Sequence, residues 1–179
     1  MRLKEIIIKR TLIFILISFS AYSCKEPAKS EPTPKVSDAR SLYEKNLASL
    51  KKGIAAFENE NLDEWATTVA DTTIWNSAAY GSSPGTKSDW RKMLTAYIAD
   101  WDSLKLNYPD FLPGIDSATH EFDGSVRYYG IWNGVHKSGV HTSVNFYATY
   151  DFNKEGKIIN ASEFFDVGGL MNAIKAKTK

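Results

Sequence analysis

Two short turns in the second half of the chain constrain its fold more than any other feature. Ser138-Gly139 separates the strand-like segments 126–137 and 141–152, and the turn 153–156 leads to a third segment, 157–166. Connections this short join only antiparallel neighbours, because a parallel pair needs a crossover of about a dozen residues or more. In the middle segment apolar and polar residues alternate, as in a strand with one buried face. The sequence therefore predicts a half-buried antiparallel sheet.

Helical periodicity dominates the chain before these strands. Apolar residues recur at spacings of four and three over 38–60, which predicts an amphipathic helix. Asn61, with Glu64 three residues later, is a typical N-cap and predicts a short second helix through 65–69. The segment 72–80 is rich in Thr, Ile, Trp and Tyr and predicts a strand.

A third helix is the best-defined element in the sequence. Thr86 and Asp89 have the spacing of a capping box, and apolar residues at helical spacing continue from there to Leu104. Pro109 and Pro113 then bracket a predicted loop. Helices followed by an antiparallel meander indicate the α+β class.

The first 23 residues have the features of an export signal. Basic residues precede an apolar stretch at 11–23, which is shorter than the roughly 20 residues that a membrane-spanning helix needs. Cys24 follows directly, and this arrangement resembles the lipobox of bacterial lipoproteins, in which the cysteine is lipidated and becomes the mature N-terminus. Residues 24–37 are rich in proline and charge and predict a flexible tether. We expect a lipid-anchored protein of the bacterial cell envelope, with an ordinary secreted protein as the alternative.

Composition narrows the chemistry that the chain can perform. Its 22 Lys and Arg balance 21 Asp and Glu, so no nucleic-acid surface is expected. The single cysteine excludes an internal disulfide and a cysteine-rich zinc site. The three histidines, His120, His136 and His141, are expected at exposed loops and strand ends. The sequence contains neither a phosphate-cradling glycine loop nor a His-Glu-x-x-His motif, so no metal or nucleotide cofactor is expected.

The order of elements and the closing segments point to a known family. The segments that carry the resemblance are Asn61-Leu62-Asp63-Glu64-Trp65, Ile74-Trp75-Asn76, Gly156-Lys157-Ile158-Ile159, Glu163-Phe164-Phe165-Asp166 and Gly169-Leu170-Met171. Together they resemble the nuclear transport factor 2-like superfamily and, within it, the SnoaL-like group. The resemblance implies a domain over 38–179 in which a cone-shaped, curved antiparallel sheet wraps around N-terminal helices and leaves a pocket at its wide end. This fold carries isomerases, cyclases, dehydratases, hydrolases and non-enzymatic binders, so it does not define the function.

The resemblance also suggests one catalytic candidate. Glu163 matches the position at which SnoaL-like cyclases keep an acidic acid/base residue, and aromatic surroundings would raise its pKa. The alternative is a strand glutamate that faces solvent or pairs with a cation. The ketosteroid isomerase branch instead keeps an aspartate base near the end of the first strand. Ser77 stands at that place here, with Asn76 beside it, and this departure argues against that isomerase chemistry.

Aromatic and polar side chains could line the implied pocket. Strand alternation places Glu163 on one face with Ile159, Ala161 and Phe165, which predicts that the carboxyl faces inward. The candidate ligand-binding residues are Trp75, Ser77, Trp90, Tyr97, Trp101, Trp132, Asn145 and Phe146. Packing in the core is the alternative role for most of the aromatic ones.

Three functions remain open from the sequence. The leading hypothesis is a non-enzymatic domain that binds a small hydrophobic or aromatic ligand. The first alternative is an isomerase, lyase or hydrolase that uses Glu163 as acid/base. The second is a protein-interaction or dimerisation module, since Tyr129, Ile131 and Val135 form an apolar stripe on the opposite face of their strand. Whichever function holds, we expect a homodimer through this face, which is the convex outer face of the curved sheet.

Overall fold

A computed structural model describes residues 36–177 of the chain. The predicted signal peptide, Cys24 and nearly all of the tether lie outside the described residues, as do the last two residues of the predicted domain. Within 36–177 no helix has both the length and the apolar character needed to cross a membrane.

Four helices and five strands make up the described part of the chain. In chain order they are α1 (Val36–Glu58), α2 (Leu62–Thr67), β1 (Val69–Asn76), α3 (Lys87–Asp100), β2 (Trp101–Ile115), β3 (Phe122–His136), β4 (His141–Phe152), β5 (Ile158–Phe164) and α4 (Val167–Lys177). Both helix N-caps predicted from the sequence are confirmed. The Asn61 side chain accepts a hydrogen bond from the Glu64 N–H at 3.0 Å, and Thr86 and Asp89 form a reciprocal capping box.

The strands form one curved, open sheet in the order β1-β5-β4-β3-β2. The two predicted hairpins are present, and three of the four strand pairs are antiparallel. The expectation of a wholly antiparallel sheet is wrong at one edge, where β1 runs parallel to β5. No hairpin fixes the direction of β1, because it lies far from β5 in the chain and is separated from it by α3 and three strands.

The strand β2 is the largest departure from the sequence prediction. The third helix was expected to reach Leu104 and a loop to follow, but the helix ends at Asp100 and an edge strand begins at once. Pro109 and Pro113 are tolerated there because an edge strand has one side without ladder hydrogen bonds. Ser103 and Tyr108 have positive φ values, and both fall at interruptions of the β2–β3 register, where bulges bend the strand.

The inner face of the sheet packs on the helices to form the core. Strand alternation buries Val126, Tyr128, Ala148 and Tyr150 on this face, against Leu50 of α1. The opposite alternation leaves a row of large side chains on the outer face, which is described below. Within residues 36–177, helices therefore cover one side of the sheet only.

Candidate ligand-binding site

A cavity of about 120 Å³ lies between the inner face of the sheet and the helices. Its wall is strongly aromatic, and the aromatic lining residues are Phe57, Trp65, Trp90, Tyr97, Trp101, Tyr128, Trp132, Phe146, Tyr150 and Phe165. Most of the other lining residues are aliphatic. Among the described residues that line this cavity, Glu163 is the one that carries a charge.

The periodicities of helix and strand explain why these side chains converge. On α3 the residues Trp90, Met93, Leu94 and Tyr97 share one face because they are spaced by three, one and three. On the strands every second residue points inward, which brings Tyr128 and Trp132 of β3 to the same side as Phe146 and Tyr150 of β4. The outcome is a wall supplied by most elements of the domain.

Two hydrogen bonds fix aromatic rings of the wall. The Trp132 indole N–H donates to the Tyr128 hydroxyl at 3.1 Å, and the Trp101 indole N–H donates to the Thr142 hydroxyl at 3.2 Å. These bonds satisfy polar groups that would otherwise be costly to bury. They also hold the rings in one orientation, so the shape of the cavity is largely preformed.

Glu163 is buried in this aromatic environment. It lies on β5 opposite Ala148 of β4, and its side chain is 8% exposed. Burial disfavours the ionised carboxylate and raises the Glu163 pKa from 4.5 to about 7. The negative charge in turn adds to the effect of burial on Tyr97, whose pKa rises to about 12. A carboxyl with such a pKa exchanges its proton readily at neutral pH.

Two indole N–H groups flank the Glu163 carboxyl. Those of Trp75 and Trp90 favour its ionised form and so partly oppose the rise in its pKa. The two rings stack in parallel, with 6.3 Å between centroids and 2° between planes. Both N–H groups are buried, yet neither has a hydrogen bond of normal geometry to any described residue. Each of these two N–H groups is therefore available to donate a hydrogen bond. The Glu163 carboxyl, which can gain or lose a proton, is the nearby acceptor.

Trp75→Phe is expected to raise the pKa of Glu163 further. The substitution keeps an aromatic ring in the core but removes one N–H that favours the carboxylate. Titration of the labelled glutamate carboxyl carbons by NMR measures the change. Trp65→Phe is the matched control, because Trp65 packs edge-on against Trp90 but does not act on the Glu163 pKa. Equal titration midpoints in the wild type and the Trp75 variant would contradict this role.

The structure separates the predicted site residues into two groups. Those that line the cavity are Trp90, Tyr97, Trp101, Trp132, Phe146 and Glu163. Trp75, Ser77 and Asn145 do not, and their expected place on the wall is corrected. Trp75 is buried in the core, where its ring lies parallel to that of Trp90. Ser77 follows the end of β1, where its hydroxyl accepts from the Ala79 N–H at 3.2 Å. Asn145 is exposed because it alternates with the inward-facing Phe146.

Sequence reasoning did not single out two tyrosines of the wall, Tyr128 and Tyr150. Both are buried, and the Glu163 charge adds to the rise in their pKa that burial causes. The alternation that places Trp132 and Phe146 inward also includes them, so this signal could have identified them. The histidines need one correction, since His136 is buried against the Trp101 ring rather than exposed.

Comparison with known proteins identifies the fold. No family model matches the sequence, and no curated protein matches it. A protein provisionally assigned as an isomerase from Bacillus subtilis has a TM-score of 0.63 at 15% identity, over 75% of this chain and 95% of that one. A provisionally assigned polyketide cyclase from Xanthomonas campestris has a TM-score of 0.61 at 11% identity, over 74% and 98%. An NTF2-like protein of unknown function from Burkholderia pseudomallei has a TM-score of 0.58 at 17% identity, over 73% and 97%.

The domain therefore has the nuclear transport factor 2-like fold. This agrees with the resemblance found in the sequence. At these identities the likeness establishes the fold, while the activity has to be argued from the cavity itself.

Proposed function

We propose that the domain binds a small, largely apolar, ring-bearing molecule in the aromatic cavity, with Glu163 as its polar contact. The observation that carries the proposal is a wall of ten aromatic side chains with a single charged group. Ligand sites typically combine apolar walls with a few placed polar groups in this way. An apolar protein cavity of roughly 150 Å³ binds benzene, so a cavity of about 120 Å³ fits one ring rather than a fused system.

Blocking the cavity tests this proposal. Val144 of β4 lines the cavity and the adjacent Asn145 faces outward, so Val144→Trp and Asn145→Trp place the same side chain on opposite faces. Binding of benzyl alcohol is followed by calorimetry or by tryptophan fluorescence. We expect Val144→Trp to abolish binding and Asn145→Trp to retain it. Equal binding by both variants, or no binding of any single-ring probe by the wild type, would refute the proposal.

Acid/base catalysis by Glu163 is the second candidate function. The observation that favours it is the pKa of about 7, which leaves both protonation states populated at neutral pH. Such a carboxyl could protonate a carbonyl oxygen or remove a proton beside it, as an isomerase, lyase or hydrolase requires. Two proteins with the same fold are provisionally assigned as an isomerase and a cyclase, and these assignments also favour acid/base catalysis.

Deuterium exchange separates catalysis from binding alone. Cyclohexanone in D₂O is a single-ring carbon acid, and NMR follows the loss of its protons next to the carbonyl. Catalysis predicts exchange above the buffer rate in the wild type, with a loss of about 100-fold or more in Glu163→Gln. A binder without catalysis gives the buffer rate in both proteins.

Membrane attachment through Cys24 is a further part of the proposal. Its support is in the sequence, where the chain's one cysteine follows the apolar stretch 11–23 and precedes the proline-rich tether. Cys24→Ser is expected to move the protein from the membrane fraction to the soluble fraction of the exporting cell. A wild-type protein that is already soluble, with no lipid on its N-terminus, would refute the anchor.

A homodimer through the outer sheet face is the proposed assembly. Tyr129, Tyr147 and Phe164 form a ladder of stacked rings across β3, β4 and β5, with centroids 4.6 and 5.5 Å apart. Tyr129 and Phe164 are 48% and 53% exposed, and large exposed apolar patches are unusual on monomers. Sedimentation should show a dimer that Tyr129→Lys converts to a monomer, while Tyr80→Lys, on an exposed loop, has no effect. A monomeric wild type at tens of micromolar would refute it.

A further inference from the structure

The cavity wall has an unusual charge balance for a site that holds a buried carboxyl. Among the lining residues that the structure describes there is one carboxyl, Glu163, and no lysine, arginine or histidine. The six ion pairs formed by described residues all lie elsewhere, and none includes Glu163. A buried carboxylate normally has a cation or several hydrogen bonds to offset the loss of water. The lining residues supply no positive charge to the Glu163 carboxylate, so a bound ligand could supply it.

Ligands with an anionic group fit this wall poorly. A carboxylate or phosphate would enter an apolar cavity that offers no cation and already holds a negative charge. A neutral ring would fill the space but leave the carboxyl without a charged partner. Of the three kinds of ligand, only a cationic one is attracted by the charge of the ionised Glu163 carboxylate.

The aromatic rings around the carboxyl add to this preference. Tyr97, Tyr128 and Tyr150 line the same cavity as Glu163, and the Glu163 charge adds to the rise in the pKa of each that burial causes. Trp90 and Tyr150 also line the cavity, and their rings lie nearly parallel, with 6.3 Å between the centroids and 16° between the planes. Ring faces attract ammonium groups, and aromatic cages that contain a carboxylate are suited to amines.

We infer that the cavity selects a primary amine attached to a small ring, with the ammonium group held between the Glu163 carboxylate and the aromatic faces. This inference rests on the proposed ligand-binding function and specifies its ligand class. The fold has already removed the carboxyl from water, so binding to the ionised carboxyl does not have to desolvate it again. The ring of the ligand occupies the apolar part of the cavity lined by residues such as Phe57, Leu94 and Trp132.

Three probes of nearly equal size test the inference: benzylamine, benzyl alcohol and benzoate. Calorimetry gives their affinities for the wild type and for Glu163→Gln at pH 8 and pH 5. At pH 8 benzylamine should bind about tenfold more tightly than benzyl alcohol, and benzoate should not bind. At pH 5 the carboxyl is protonated, because its pKa is about 7, and the preference for the amine should disappear. Glu163→Gln should lose the preference at both pH values while still binding benzyl alcohol.

The outcomes distinguish this inference from the function on which it rests. Equal or tighter binding of benzyl alcohol at pH 8 overturns the amine assignment but leaves the aromatic binding site in place. An amine preference that survives in Glu163→Gln, or that is unchanged at pH 5, also overturns it. Failure of all three probes overturns the binding function together with the inference. The wild-type comparison between the two pH values decides the matter even if the variant does not fold.

Discussion

Glu163→Gln is expected to stabilise the domain at pH 8 by roughly 2–3 kcal/mol more than it does at pH 5. Ionisation of Glu163 is unfavourable in the folded protein, where its pKa is about 7, and easy in the unfolded chain, where the value is near 4.5. The folded state therefore holds the proton more tightly than the unfolded state. Glutamine mimics the neutral carboxyl and does not ionise, so the variant escapes this cost.

The sign of this effect follows from proton linkage. Between pH 4.5 and about 7 the unfolded chain has released the Glu163 proton while the folded protein still binds it. The free energy of unfolding of the wild type therefore falls as pH rises through this window, and the loss is complete above about pH 7. Any constant effect of the buried amide cancels when the two pH values are compared.

Urea denaturation of both proteins at pH 5, 6, 7 and 8 measures the difference. Glu155→Gln, in the exposed turn between β4 and β5, is the matched control and should give a difference that changes little with pH. A difference for Glu163→Gln that stays constant from pH 5 to pH 8 would mean that the carboxyl is not desolvated.

Trp90→Ala is expected to destabilise the domain by about 3–5 kcal/mol. Trp90 is 3% exposed and packs on three other rings, with centroid distances of 5.1 Å to Trp65, 6.3 Å to Trp75 and 6.3 Å to Tyr150. Truncation removes these contacts and leaves a void where α3 meets the sheet. The same change also enlarges the cavity beside Glu163.

Chemical denaturation and near-ultraviolet circular dichroism follow the effect of Trp90→Ala. Tyr80→Ala serves as the control, because Tyr80 is fully exposed in the loop after β1 and its removal should change stability by less than about 0.5 kcal/mol. A loss below about 1 kcal/mol for Trp90→Ala would show that this aromatic cluster does not form the core.

The parts of the fold that the sequence predicts well depend on local constraints. The two hairpins follow from short turns, and β4 spans the predicted residues 141–152. The strand β2 escaped prediction because the apolar residues Trp101 and Leu104 fit a helical spacing, while an edge strand tolerates Pro109 and Pro113. Whether these prolines lie in a loop or on an edge is decided by pairing with β3, which is a non-local contact.

In the candidate site, too, features set by local periodicity are predictable from the sequence, and features set by non-local contacts are less so. Alternation along β5 predicts that Glu163 faces inward with Ala161, and both are buried. The indole N–H of Trp75 was among the partners that the sequence offered to Glu163, and the parallel register that pairs Trp75 with Ala161 brings the two residues together through a non-local contact. Asn145 was expected on the wall although its own strand alternation directs it outward. For Asn145 the two-residue alternation of its own strand therefore gives the correct, outward orientation.

The central claim, that Glu163 is a buried carboxyl positioned to contact a ligand, is tested most directly by its own titration. NMR of the labelled side-chain carboxyl carbon, assigned by its loss in Glu163→Gln, gives the pKa in the free protein and with saturating benzylamine. A midpoint near 7 is expected in the free protein, and a lower midpoint is expected when the amine is bound. A midpoint near 4.5 that does not move when ligand is added would contradict the claim.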